Sequence, residues 1–308
     1  MSRVAVMVFP SGDQYEISTA GYVAVVTESG AALRVLRQHG RDLVDGFDEA
    51  GMSSGGRGQL LMPWPNRIRD GRYSFGGRDL QLGLTDPSRG NASHGLARWA
   101  SWTVEEHTDT SVSLVYRVMA QTGYPWALDL HVLYDLSADG LVVTQTATNL
   151  SPEPAPYASG AHPYLAVGDA IEDLELRVPA RTRVLVDDRQ VPVGTEPASG
   201  PYDFTSPRRI GDAVLDDGYG DLVRDEGRCT VTLTDPAGGR GVALWVDEGH
   251  RWLQLFTPPA VDGLRTGLAV EPMTAPADAF RSGTDLVTLA PAGTPGDELS
   301  VSWGIHAV

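Results

Sequence analysis

The chain has 308 residues, of which 42% are hydrophobic and 21% charged, so it can bury a sizeable core and is not disordered by composition. A formal net charge of −16 argues against a nucleic-acid or anionic-membrane partner, because both need a clustered positive surface. The single Cys229 excludes an intramolecular disulfide framework and points to a reducing compartment. The apolar run between Met1 and Phe9 is too short for a signal segment, and no stretch approaches the ~20 apolar residues that span a bilayer. A cytoplasmic protein is expected. The sequons at Asn91 and Asn149 are then incidental.

Period-2 alternation recurs along the chain, separated by Gly, Pro, Asn and Asp clusters. Short strands are predicted at Tyr22–Thr27 and Ser111–Val118. Leu128, Leu130, Val132 and Tyr134 share one face of the next strand, with Asp129 and His131 on the other. After the turn Ala138-Asp139-Gly140, the residues Val142, Thr144, Thr146 and Thr148 repeat the alternation and complete a hairpin. Further strands follow at Leu174–Val178, Arg183–Val186, Cys229–Thr234, Val242–Val246, Trp252–Phe256 and Leu299–Trp303. Helical patterning of ten or more residues is almost absent. The 35 Gly and 21 Pro are spread along the chain, which leaves no evident linker and no low-complexity tail. No repeat of fixed period suggests a propeller. The expectation is an all-β fold, a large antiparallel β-sandwich, in one domain spanning 1–308.

Five segments carry candidate chemistry. The Gly-rich run Gly55–Gly58 lacks a phosphate-loop ending, and Pro63 and Pro65 follow where a helix would start, which disfavours a nucleotide site. Pro63-Trp64-Pro65 fixes extended backbone and presents an indole, with Asn66 and Arg67 beside it as donors. An aromatic plane flanked by an amide and a guanidinium suits a sugar. Locally, Trp64 as core and Arg67 as a structural ion pair fit equally well. His94 precedes Gly95, which permits close backbone approach. His162 lies between the small residues Ser159-Gly160-Ala161 and Pro163-Tyr164. The small run would let another molecule approach, the histidine can move a proton near neutral pH, and Tyr164 offers a flat wall.

Asp216 and Asp217 read as a turn ahead of Tyr219. Glu271 closes the apolar run Leu268–Val270 just before Pro272, where partial desolvation would raise its basicity; an edge-strand charge that deters aggregation is the plainer account. No second carboxylate is evident near it. The histidines show no metal-ligand spacing, and neither a Gly-x-Ser-x-Gly elbow nor a cysteine motif signals a nucleophile.

In content and order these segments resemble the aldose 1-epimerase (galactose mutarotase-like) family. Asn66-Arg67-Ile68, His94-Gly95, His162-Pro163-Tyr164, Asp216 three residues before Tyr219, and Glu271-Pro272 are similar to its motifs over residues ~55 to ~280. The resemblance implies a galactose mutarotase-like supersandwich and interconversion of the α and β anomers of a free aldose. It implies Glu271 as general base and His162 as general acid, with Arg67, His94 and Asp216 holding or assisting the sugar. Asn66, Trp64 and Tyr164 complete the expected substrate-binding set. The Pro63-Trp64-Pro65 lead-in and the Glu271-Pro272-Met273-Thr274 ending depart from the galactose mutarotases proper, so the resemblance leaves the sugar open.

Mutarotation itself demands such a pair. One group takes a proton from the C1 hydroxyl while another delivers one to the ring oxygen, and closure reverses the transfers. A carboxylate and an imidazole, roughly two pKa units apart when unperturbed, divide that work without a cofactor or metal. His162 needs an anionic neighbour to stay protonated, and Asp216 is the candidate. The partner expected is a small sugar, acting on a monomer or homodimer. The alternatives are a hexose-6-phosphate 1-epimerase, drawing on Arg57, Arg69, Arg72, Arg78 or Arg98, and a non-catalytic carbohydrate-binding module of the same fold.

Overall fold

A computed structural model describes residues 8–261 and 263–308. The N-terminal run considered as a signal lies outside them up to residue 7. Every strand pairing is antiparallel, as expected for alternating sequence joined by short turns. A nine-stranded sheet runs in the order Arg208–Arg209, Glu175–Arg177, Cys229–Asp235, Arg240–Val246, Glu298–Ala307, Gly140–Asn149, Leu128–Ser137, Ser111–Val118 and Thr103–His107. A six-stranded sheet runs Tyr164–Leu165, Leu268–Met273, Trp252–Phe256, Asp216–Leu222, Ala180–Val186 and Pro192–Pro197. A four-stranded sheet at Gln14–Asp42 and three two-stranded ribbons complete the strands. Helix is confined, among the described residues, to Ala279–Ser282 and the 3-10 turn Gly200–Tyr202, and no helix is long and apolar enough to cross a membrane.

The sequence pattern explains the layers. Leu128, Leu130, Val132 and Tyr134 are fully buried, while Asp129 and His131 face partly outward. On the return strand the buried face is Leu141, Val143 and Ala147 with Gln145, because the register sets Val143 against Tyr134 and Ala147 against Leu130. Val142, Thr144, Thr146 and Thr148 therefore form the outer face. There Thr144 and Thr146 hydrogen-bond Ser302 and Ser300 across the ladder. Gly140, at φ 110°, closes the hairpin in a conformation that favours glycine. Buried residues from Ile17 to Ile305, drawn from both large sheets, form one continuous apolar cluster.

One polar group crosses that core. Gln145 is buried on the nine-stranded sheet, accepts from Trp303 Nε1 at 2.8 Å, and donates to Ser159 Oγ and the Gly160 carbonyl at 2.9 and 3.1 Å. It ties the large sheet to the segment that carries His162. Replacing it with leucine leaves the Trp303 indole N–H unpaired and removes both donations to the His162 segment, where the Gly160 carbonyl keeps only the Leu61 N–H, so Gln145→Leu is expected to cost about 3 kcal/mol in urea denaturation. A loss below about 1 kcal/mol would contradict this role.

Candidate active site

Backbone register creates the central pair. Tyr164 and Leu165 pair with Ala269 and Leu268, and Gly160 bridges Met273 at the far end of the same strand. The register is the same on both sides of the interruption at Pro163, which sets His162 directly opposite Glu271. The bonds Val270 N–H to Pro163 O and Ala161 N–H to Pro272 O, both 3.1 Å, bracket the two residues. His162 Nε2 then lies 3.3 Å from Glu271 Oε1, with both side chains almost fully buried. On its other edge Glu271 pairs with Gln254, and the next rung of that face carries Tyr164, Ala269, Phe256 and Asp216. Gln254 Nε2 donates to Asp216 Oδ1 at 2.8 Å.

The opposing wall comes from the short ladder Arg67–Arg69 with Asn91–Ser93. Asn66 and His94 flank it, both with positive φ, and the His94 N–H bonds the Asn66 carbonyl at 2.9 Å. The His94 ring meets the His162 ring edge to face at 5.6 Å. Arg67 donates to Asp86 at 3.1 Å and to the Asn66 amide oxygen at 3.3 Å. Gly56, at φ 79°, lies against the imidazole: a Cβ there would fall 2.8 Å from His162 Cδ2. These walls enclose a cleft of about 340 Å³ lined by Asn66, Arg67, His94, His162, Asp216 and Glu271, with Asp86, Arg89, Arg98, Trp99 and Phe256 among its further residues.

Burial governs its electrostatics. Desolvation raises Glu271 well above the usual carboxylate range, and the nearby Asp216 charge adds to the rise against Arg67. Desolvation lowers His162 to about 3, with the cations Arg57, Arg98 and Arg67 acting in the same direction. His94 is lowered for the same first reason, then by His162 and Arg98. Burial therefore favours a neutral carboxyl facing a neutral imidazole. His162 Nδ1, His94 Nδ1 and Glu271 Oε2 are buried without a hydrogen-bond partner in the chain. Orphaned polar atoms of this kind cost about 1–3 kcal/mol each, and three together mark a place where the fold gives up stability.

Six of the expected site residues come together here: Asn66, Arg67, His94, His162, Asp216 and Glu271. Trp64 does not. It is 3% exposed and packs edge-on against Phe280, so the core alternative is the correct one; the exposed indole of the cleft is Trp99, at 47%. Tyr164 is no wall of the cleft either. It stacks on His162 at 5.1 Å and 11°, donates to the Gly55 carbonyl at 2.8 Å, and is covered by Arg57 at 4.4 Å. It packs against the imidazole from below the cleft.

The small Ser159-Gly160-Ala161 run is fully buried and admits its own chain, since a Cβ on Gly160 would meet Pro65 and the Pro272 carbonyl. Leu215–Tyr219 is no turn: Asp216–Leu222 is a strand, which sends Asp216 to the cleft and Asp217 to Arg183 at 2.7 Å. Asp216 acts on Glu271, and the carboxyl that faces the imidazole is Glu271 itself, which does have a carboxylate neighbour. Asp86, Arg89, Trp99, Phe256 and Gln254 carried no sequence signal of their own. They reach the site through pairing and loop closure.

Antiparallel sheets sharing one core, with a polar cleft at the edge of the six-stranded sheet, define a β-sandwich protein with a site sized for a small polar ligand. The chain matches the aldose 1-epimerase family over residues 13–301. It is 33% identical over 285 residues to the uncharacterized protein YihR of Escherichia coli K12, covering 91% of this chain and 89% of that one. A galactose mutarotase-like protein from Clostridium acetobutylicum shares the fold with a TM-score of 0.84 at 17% identity, over 95% of this chain and 94% of that one. A galactose 1-epimerase from Lactobacillus acidophilus does so at 0.81 and 20% identity, over 99% and 97%. The chain belongs to the aldose 1-epimerase family, and its fold is the galactose mutarotase-like supersandwich.

The raised affinity of Glu271 for its proton has a thermodynamic consequence. The unfolded carboxyl titrates near 4.5 and the folded one well above it, so the folded state binds the extra proton between those values. Stability is full below 4.5 and falls as pH rises through the folded value, by about 1.4 kcal/mol per pH unit within the window. Glu271→Gln removes this loss. Its melting temperature is expected to exceed that of the wild type by a margin that widens with pH. Parallel curves from pH 5 to 9 would contradict the assignment.

Proposed function

We propose that the protein is an aldose 1-epimerase, a mutarotase that interconverts the α and β anomers of a sugar by acid–base ring opening and closure. The observation that carries the reading is the His162–Glu271 contact at 3.3 Å, with polar atoms left unpaired, inside a cleft lined by donors. The two oxygens that exchange protons in mutarotation are bonded to the same carbon. An acid and a base that serve both must be neighbours, and these two are.

In the forward step Glu271, as carboxylate, takes the proton of the C1 hydroxyl. The O1 electron pair forms the aldehyde, the bond from C1 to the ring oxygen breaks, and that oxygen takes a proton from the His162 imidazolium. The pair starts charged and ends neutral, which is the direction burial favours. Rotation about C1–C2 presents the other face of the aldehyde, and the reverse transfers close the ring. Asn66, Arg67, His94 and Asp216 hold the sugar hydroxyls, and Trp99 and Phe256 supply apolar surface for its C–H faces. We read the chain as one cytoplasmic domain, and the buried, isolated Cys229 thiol supports a reducing compartment. A binding module without catalysis has no use for an acid and a base in contact.

His162→Asn and Glu271→Gln are each expected to lower kcat for mutarotation about 10²–10⁴-fold by polarimetry while the folded state persists. Near-wild-type rates from either variant would sink the assignment. Activity requires one proton on the pair in total, which gives a bell-shaped pH profile belonging to both groups. Adding a second proton means charging a depressed imidazole, so the acid limb is expected below the ordinary 6.5 of histidine. An acid limb at or above 6.5 would show a solvated histidine at work instead.

A further inference from the structure

The cleft contains a cation that the acid–base chemistry does not use. Three arginines line it, Arg67, Arg89 and Arg98, in a chain of net charge −16. Arg67 and Arg89 share one carboxylate, at 3.1 and 3.8 Å from Asp86 Oδ2. Arg98 is partly buried, and among the described residues its guanidinium has no ion-pair or hydrogen-bond partner; it stands 5.5 Å from the centre of the Trp99 ring.

The other arginines considered for a charged substrate are committed elsewhere. Arg57 pairs with Asp45, Arg69 with Asp187 and Arg78 with Glu153, while Arg72 bonds Gln81. Arg67 acts on Glu271 and on both histidines, whereas Arg98 acts on the histidines alone; the carboxylate whose charge reaches Arg98, Asp86, is already shared by Arg67 and Arg89.

A guanidinium remains charged at any working pH, and its planar fork is best matched by a carboxylate, phosphate or sulfate bound through two oxygens. Sugar hydroxyls already find Asn66, Arg67 and His94. An unpartnered guanidinium beside them favours an anion over another hydroxyl. The anion cannot sit on O1, which must be a free hydroxyl for the ring to open, so it belongs to another carbon of the same molecule.

We propose that Arg98 seats an anionic substituent of the sugar, making the preferred substrate an acidic aldose. This rests on the mutarotase reading and names its substrate class.

The test measures kcat/KM for mutarotation, corrected for the spontaneous rate. The substrates are α-glucose and α-galactose, their uronates, glucose 6-phosphate and glucose 6-sulfate. At least one acidic sugar is expected to exceed its neutral parent by about tenfold or more, the scale of a charge-assisted pair. The best arm identifies the anion as carboxylate, phosphate or sulfate. Arg98→Gln is expected to shrink the acidic-to-neutral ratio about tenfold, with Arg98→Lys retaining part of it. A wild-type enzyme that prefers the neutral parent in every arm, or a ratio unchanged in Arg98→Gln, overturns the proposal.

If no sugar is accelerated, the mutarotase reading fails and the anion seat is judged separately by calorimetry. Tighter binding of an acidic sugar that Arg98→Gln abolishes supports the seat, and equal binding of acidic and neutral sugars removes it.

Discussion

The site depends on one strand register. The segment Gly160–Leu165 pairs with Leu268–Met273 at both ends, and Pro163, which has no N–H to give, interrupts the ladder between them. Because the register is held on both sides, the side chain before the proline has no choice of neighbour. A shift of one residue would turn His162 to the other face and leave Glu271 buried against apolar groups. Gln145 fixes the same segment from behind, Tyr164 stacks beneath the imidazole, and Gly56 lies against its edge. Two of these contacts bear on the ring itself and the third on the backbone that carries it.

What that rigidity maintains is an electrostatic conflict. A carboxyl and an imidazole are placed where neither is comfortable charged, close enough that a single proton can sit on either. Moving it between them converts a charged pair into a neutral one without changing the net charge or the proton count. Such a pair suits a reaction that opens and closes through the same atoms, because the groups that act first as base and acid act next as acid and base. The fold gives up stability to keep Glu271 desolvated, as functional sites commonly do. Arg98 extends the same logic, since a guanidinium left unpaired among polar walls is useful only to something that arrives.

Much of this was legible in the chain. Alternation and turn residues specified the antiparallel sandwich, and strands such as Tyr22–Thr27, Ser111–Val118 and Trp252–Phe256 fall where periodicity places them. His162 and Glu271 were readable because each sits before a proline, one after a run of small residues and the other at the end of an apolar run. Trp64 and Tyr164 were misplaced because an aromatic residue beside a candidate donor looks the same in sequence whether it lines a cavity or supports the residue that does. Asp216 was read as a turn because two adjacent aspartates disfavour a strand, and tertiary pairing with Phe256 overrode that preference. Asp86 and Trp99 had no local pattern at all, and nothing local set Arg98 apart from the four other candidate arginines. They become site residues only when the 66–69 and 91–93 strands pair and bring their loops over the sheet edge.

The central claim is that His162 and Glu271 share one proton as a unit. Nitrogen-15 NMR of the His162 ring, titrated with pH in the wild type and in Glu271→Gln, tests it most directly. The account predicts a ring that stays neutral through pH 6.5 and a titration that changes when the carboxyl is removed. A ring that titrates near 6.5 in both proteins would contradict it.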